Sequence, residues 1–290
     1  MELLPFLLVV ASAFSHASWN VLAKRASDKD AFLWLATFTA FFTTLPLFYI
    51  WLENWALPVK AIPYLTMSAV AELFYFLSLS KAYDLGELSV VYPFARASPL
   101  FLYILEVLFL GEEVTPPGVS GIILVVLGIY TIHMGGFSSS EFLKPLKSLR
   151  SSASRYALLT ALCTTAYSLT DKLGVMSISP LTYAFWLDIF ILSLLTPVIL
   201  LSKRSATILA EWRSHGLHVV LAGFLMKFGY IIVLVAMSFA QASYILAVRQ
   251  LSVVIGVALG VKFLGEKHGQ VRVISSILIF TGIVVLGTIV

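Results

Sequence analysis

Glu72, Arg96, Asp188, Lys227 and Arg249 lie inside runs of apolar residues that are otherwise long enough to cross a bilayer. At the centre of a spanning helix a charge costs about 2.5–3.5 kcal/mol. Five such groups cannot all face lipid, so they must face one another or a wet cavity. Their types suggest what such a cavity would hold. A guanidinium offers a planar fork of donors that matches a carboxylate or phosphate, and a buried carboxylate can serve as counter-ion or as a proton carrier.

Arg96 sits in the stretch Val91-Tyr92-Pro93-Phe94-Ala95-Arg96-Ala97-Ser98-Pro99. Two prolines there remove backbone donors and should break or kink the helix. A broken helix is tolerated at membrane depth only where it is buried in protein or lines a cavity, and Tyr92 lies one turn before the arginine on the same face. Arg249 and Gln250 occupy a comparable place without prolines, followed by Gly256 and Gly260 at a spacing that allows close helix approach. The two arginines either bracket an anionic group or pair with Glu72 and Asp188 as buried ion pairs. Glu72 and Lys227 are expected to neutralise each other; the alternative is that Glu72 titrates and couples the protein to protons. Asp188 is expected to be the counter-ion of an arginine, or else to meet an amino group.

Ser12, His16, Trp19 and Asn20 share one face of the first helix, which suggests a cavity wall; His16 either meets a solute or proton there or bonds a neighbouring helix. Tyr75, Tyr92, Tyr230 and Tyr244 are packing residues or aromatic contacts. Glu106 and Lys262 fall near helix ends, where they can snorkel or cap.

Several function classes lack their parts. The chain has no G-x-x-x-x-G-K-[ST] loop and no H-E-x-x-H. His215 and His218 have no convincing third ligand, and Cys163 is the only cysteine. No cofactor or metal is expected. The net charge of +4 would suggest nucleic acid in a soluble protein, but Lys and Arg concentrate in short gaps between apolar runs, where they set topology.

The elements that must position these groups follow from hydropathy. With 60% hydrophobic and 12% charged residues and a mean hydropathy of +0.97, the chain needs a bilayer as solvent. The first apolar stretch has no basic lead and no small-x-small cleavage site, so it reads as a span. Cutting at polar breaks predicts an all-α protein of about ten spans of roughly 20 residues each: 3–24, 31–51, 62–83, 89–110, 117–134, 156–174, 180–201, 217–239, 243–264 and 271–289. The stretches outside them are too short for a further domain, so function is expected between the helices.

Residues 1–134 and 156–290 read as two copies, with 135–155 as linker. Phe109-Leu110-Gly111-Glu112-Glu113 recurs as Phe263-Leu264-Gly265-Glu266-Lys267, and Leu127-Gly128-Ile129 as Thr281-Gly282-Ile283. Similar offsets relate Arg96 to Arg249, Tyr75 to Tyr230, Glu72 to Lys227 and Lys24 to Lys172. An odd number of spans per copy inverts the second, which is the architecture of secondary transporters with a midplane site. Lys24, Arg25, Lys29, Lys144, Lys147, Arg150, Arg155, Lys203, Arg204 and Arg213 fall on one side, against Lys60 and Lys172 on the other. The positive-inside rule then puts the linker in the cytoplasm and both termini outside.

On His16-Ala17-Ser18-Trp19-Asn20, Val91-Tyr92-Pro93 through Arg96, Arg249-Gln250-Leu251-Ser252-Val253-Val254 and the paired Phe-Leu-Gly-Glu ends, the sequence resembles the EamA-type transporters of the drug/metabolite transporter superfamily. That resemblance covers essentially the whole chain. It implies a five-plus-five inverted repeat in the inner or plasma membrane and a cavity bounded by the third, fourth, eighth and ninth spans, where Glu72, Arg96, Lys227 and Arg249 lie. Cytoplasmic termini are common among such proteins. The expected activity is export of a small anionic or zwitterionic metabolite by alternating access, by a monomer or homodimer. Alternatives are a flippase for a lipid-linked headgroup, or an intramembrane enzyme or sensor using Glu72, His16 and Asp188.

Overall fold

The computed structural model describes residues 3–23, 26–51, 55–85, 91, 94–131, 134, 136, 138–147, 150–203, 205–255 and 270–287. Lys24, Arg25, Tyr92, Pro93, Arg204, Gly256, Gly260, Lys262 and the second Phe-Leu-Gly-Glu copy at 263–267 lie outside the described residues. Among the described residues the secondary structure is helical with no strand.

The helices of the first half are α1 (Leu3–Ala23), α2 (Lys29–Trp51), α3 (Ile62–Leu85), α4 (Ser98–Leu105, continued by a π-helical stretch Glu106–Leu110) and α5 (Pro116–Thr131). Those of the second are α6 (Ser152–Ser177), α7 (Pro180–Ser202), α8 (Ser205–Met237), α9 (Ala242–Arg249) and α10 (Gln270–Gly287). By length and composition five helices can cross a membrane: α1, α2, α3 with its leading 3₁₀ turn, α7 and α8. The described parts of α4, α5, α9 and α10 are shorter apolar helices. α6 is the polar one, rich in threonine and carrying Asp171 and Lys172.

Short polar residues start these helices. Asp28 Oδ1 accepts the Ala31 amide (3.0 Å) ahead of α2, Ser151 Oγ the Ser154 amide (3.1 Å) ahead of α6, and Ser179 Oγ the Thr182 amide (3.2 Å) ahead of α7. Each cap satisfies an amide that the first helical turn leaves without a partner.

Packing between the halves is symmetric. α1 lies on α8 as α3 lies on α6, and α1 meets α9 as α4 meets α6. The contacts α2 with α7, α4 with α9 and α5 with α10 each join an element to its own counterpart. Exchanging the halves therefore maps the packing onto itself, which defines a pseudo-twofold axis. The α5–α10 contact is close: a methyl on Gly282 would sit 2.6 Å from the Gly121 carbonyl oxygen, so only glycine fits.

Four features differ from the sequence expectation. The stretch 135–155 contains a helix, Ser139–Lys147, held near α5 by the Tyr130 hydroxyl, which donates to the Phe142 carbonyl at 2.5 Å. α8 begins at Ser205 rather than near Leu217 and kinks at His215 (φ −130°, ψ 17°). Its polar first turns hide it from a hydropathy count, yet Glu211 ties them to the α1–α2 loop by accepting the amides of Ser27 (3.1 Å) and Asp28 (2.9 Å). Lys172, read as a residue of the less basic face, is buried in α6. α9 breaks at Gln250 although no proline stands there.

Candidate functional site

Two helix interruptions meet at the centre of the protein. The first lies at Arg96–Ala97, where Ala97 (φ −76°, ψ −1°) separates α4 from the turn before it. The second lies at Gln250 (φ −64°, ψ −10°), directly after Arg249. The prolines around Arg96 made the first legible, whereas for the second the only signal was the repeated arginine.

Around these breaks lies a cavity of about 150 Å³. His16 and Trp19 come to it from α1, Glu72 and Tyr75 from α3, and Arg96 from the first break. Asp188 comes from α7, Lys227 and Tyr230 from α8, and Arg249 and Gln250 from the second break. α6 adds Thr160, Thr164 and Tyr167, which sequence reasoning missed because none carries a charge.

The pairing inside the cavity corrects two expectations. Lys227 Nζ binds Asp188 Oδ1 at 2.7 Å and the Ala184 carbonyl at 2.7 Å, so it is Asp188, on the neighbouring helix of the same half, that neutralises it. Glu72 instead faces the Tyr230 hydroxyl at 3.3 Å. Asp188 thus pairs with a lysine and not with an arginine. Exchanging repeats suggested Glu72 as the partner of Lys227, but the packing of α7 on α8 brings a nearer carboxylate. Asp188 Oδ2 is buried and has no hydrogen-bond partner among the described residues.

Arg249 Nη2 lies 3.1 Å from His16 Nδ1. Arginine only donates, so Nδ1 is the acceptor and the imidazole hydrogen sits on Nε2. Among the described residues neither His16 Nε2 nor Arg249 Nε has a partner, and both are buried. The His16 ring also stands edge-on to Trp19 at 5.0 Å. Two residues that line the cavity therefore each keep a buried N–H donor without a partner among the described residues.

The remaining candidates lie elsewhere. Asn20 does not line the cavity: its amide turns back to the His16 carbonyl (2.7 Å), a local bond along its own helix. Ser12 joins α1 to α8 through the Gly229 carbonyl (2.8 Å). Tyr244 stacks on Tyr103 at 5.9 Å, as a packing residue. Glu106 is fully buried, and its carboxylate accepts the amides of Ala242 (2.6 Å) and Ser243 (3.0 Å) at the start of α9. His215 Nδ1 lies 2.8 Å from Glu211 Oε1, and among the described residues no cluster of His, Cys, Asp and Glu could hold a metal.

Asp171 is the residue the sequence reading passed over. Fully buried on α6, it accepts Ser68 Oγ (2.6 Å) and the Tyr183 hydroxyl (2.9 Å) on Oδ1 and the Tyr230 hydroxyl on Oδ2. An aspartate in the last third of an otherwise uncharged span was the available signal; it was masked by reading Lys172 beside it as a loop charge.

An all-helical, multi-pass chain of two structurally equivalent halves, with a charged cavity where they meet, belongs to the two-repeat class of membrane transport proteins. The model of the EamA-like transporter family matches residues 3–134 and 152–288, and the chain belongs to this family. It is a membrane transporter of the drug/metabolite transporter superfamily. Among curated proteins none matches significantly. A solved crystal structure of a protein 17% identical superposes with a TM-score of 0.68, covering 99% of this chain and 96% of that one, which supports the fold.

Proposed function

We propose that the protein is a secondary transporter, an exporter, of a small anionic or zwitterionic metabolite such as an amino acid, organic acid or phosphonate, working by rocking of its two halves in the inner or plasma membrane. The observation that carries this reading is that Arg249 and His16, which line the cavity, each hold a buried donor, Nε and Nε2, without a partner among the described residues. Buried donors without partners cost free energy, and a carboxylate or phosphonate is the group that would satisfy both. Asp188, also in the cavity lining, keeps Oδ2 without a partner among the described residues, an acceptor that suits an ammonium group and favours a zwitterion. At about 150 Å³ the space lies below the about 300–1,000 Å³ of drug-sized sites. Arg96 completes the anion side, as the counterpart of Arg249 at the other helix break.

A thermal-shift screen of the purified protein against amino acids, organic acids and phosphonates tests this, because a ligand stabilises the state that binds it. Stabilisation by a subset of these anions, followed by their net movement across proteoliposomes, is the expected result. Stabilisation by lipid headgroups alone, or chemical turnover without net solute movement, would overturn it.

A further inference from the structure

We propose that Glu72, Tyr230 and Asp171 form one proton-binding site, in which a single proton is shared between the two carboxyl groups through the tyrosine hydroxyl. The argument is a count of hydrogens. Asp171 Oδ1 already receives Ser68 Oγ at 2.6 Å and the Tyr183 hydroxyl at 2.9 Å. Its Oδ2 contacts the Tyr230 hydroxyl, which also lies 3.3 Å from Glu72 Oε1. A phenol has one hydrogen. If it points at Asp171, the phenol oxygen turns its lone pairs toward Glu72, and that contact is a hydrogen bond only when Glu72 is a carboxylic acid that donates. If the proton sits instead on Asp171 Oδ2, the acid donates to the phenol oxygen and the phenol hydrogen turns to Glu72.

The two arrangements interconvert by a balanced double hop. The Glu72 O–H bond breaks as its hydrogen joins the Tyr230 oxygen. The original phenol O–H bond breaks as that hydrogen joins Asp171 Oδ2. The tyrosine ends neutral and the site holds one proton throughout.

The surroundings favour one proton over none. The charged and titratable groups that line the cavity with Glu72 and Tyr230 are His16, Tyr75, Arg96, Tyr167, Asp188, Lys227 and Arg249, while Tyr183 on α7 bonds Asp171 and Lys172 follows it on α6. Lys227 is held by Asp188 at 2.7 Å, Lys172 by the carbonyls of Met237 and Ala240 at 2.8 Å each, and Arg249 faces His16. Among the described residues no cation forms an ion pair with Glu72 or Asp171. A water-poor bundle does not readily hold two neighbouring carboxylates linked through one phenol.

Access is one-sided. Glu72 and Tyr230 line the cavity, whereas Asp171 is fully buried, so the aspartate exchanges its proton through the tyrosine. Glu72 and Ser68 belong to the first half and Asp171, Tyr183 and Tyr230 to the second. In a transporter whose halves rock, the reading on which this step rests, their relative movement makes and breaks the link.

Infrared titration of the purified protein in lipid, varying only pH, reads the carboxylic-acid C=O band directly. At neutral pH the wild type should show such a band, and Glu72→Gln should remove it. Asp171→Asn should leave a band whose midpoint moves to lower pH, since it removes the neighbouring negative charge. Tyr230→Phe keeps the packing and should shift the band to the frequency of an acid that donates no hydrogen bond. Melting curves of each variant show that it is folded, and Tyr230→Phe keeps the test decisive should the aspartate variant fail to fold. A wild type without the band at neutral pH, or a band indifferent to Tyr230→Phe, overturns the proposal. Because the probe is the proton alone, this result is independent of the metabolite screen that tests transport.

Discussion

Lys172 and Glu106 grip the two sides of one turn. The lysine, from α6, donates to the Met237 and Ala240 carbonyls at the end of α8, while the glutamate, from the first half, accepts the Ala242 and Ser243 amides at the start of α9. Positive charge at a helix C-terminus and negative charge at an N-terminus both complement the helix dipole. Glu106→Ala should therefore cost about 0.5–2 kcal/mol, as for loss of an N-cap. The measurement is the melting temperature in detergent, with Glu106→Gln falling between alanine and wild type. An unchanged melting temperature for the alanine variant would rule out the clamp.

Lys227 and Asp188 should behave as a unit. Asp188→Asn keeps an amide oxygen that can accept from Lys227 but removes the charge that balances the buried ammonium, and removing one partner of a buried pair costs about 3–5 kcal/mol. The double variant Asp188→Leu/Lys227→Met should recover a monodisperse protein in size-exclusion chromatography. A single variant as stable as the wild type would show that the pair does not hold α7 to α8.

Arg249→Ala should abolish stabilisation by whichever metabolite the screen finds, with a loss of about 2–5 kcal/mol in binding, on the order of 30-fold or more. Arg249→Lys should rescue it only in part, because an ammonium lacks the planar fork. An affinity unchanged by the alanine variant, measured by isothermal titration, would move the anion site away from this arginine.

At the membrane edge, Lys203 bonds Asp28 (2.9 Å) and Asp30 (3.0 Å), joining the loop before α2 to the end of α7. Partial burial of Asp28 works against its charge, but the Ala31 amide and Lys203 outweigh it and hold the carboxyl below its ordinary range. Lys203 is held above its ordinary range, chiefly by its hydrogen bond to Asp28. Asp28 thus stabilises the fold above the ordinary carboxylate range and loses that effect as pH falls through its lowered value. Lys203 stabilises below its ordinary range and loses the effect as pH rises through its raised one. Melting temperature against pH should therefore fall less steeply in acid for Asp28→Asn than for the wild type, from a lower neutral value. Parallel acid limbs would contradict this.

The charged residues inside apolar runs led to the cavity because lipid penalises them wherever they are placed, so their position in the sequence already constrains what they face. Which charge meets which did not follow. Glu72 and Lys227 match across the repeat, but pairing depends on which helices touch, and α7 presents Asp188 to Lys227 first. The break at Gln250 was invisible for a similar reason: with no proline it follows from packing rather than local chemistry. Asp171 escaped because its polarity is absorbed by Ser68, Tyr183 and Tyr230 on three other helices, and only Tyr183, 12 residues on, is close to it in sequence.

The polarity of α6 has a consequence for how the chain is made. Ser152–Ser177 is not among the helices long and apolar enough to cross a bilayer by length and composition, and two of its polar side chains find partners on α3, Thr160 with Ser78 (3.0 Å) and Asp171 with Ser68. During synthesis α3 is complete before α6 begins. The nascent α6 therefore meets its first partners, Ser68 and Ser78, on a helix already made, and finds Tyr183 and Tyr230 only once α7 and α8 follow.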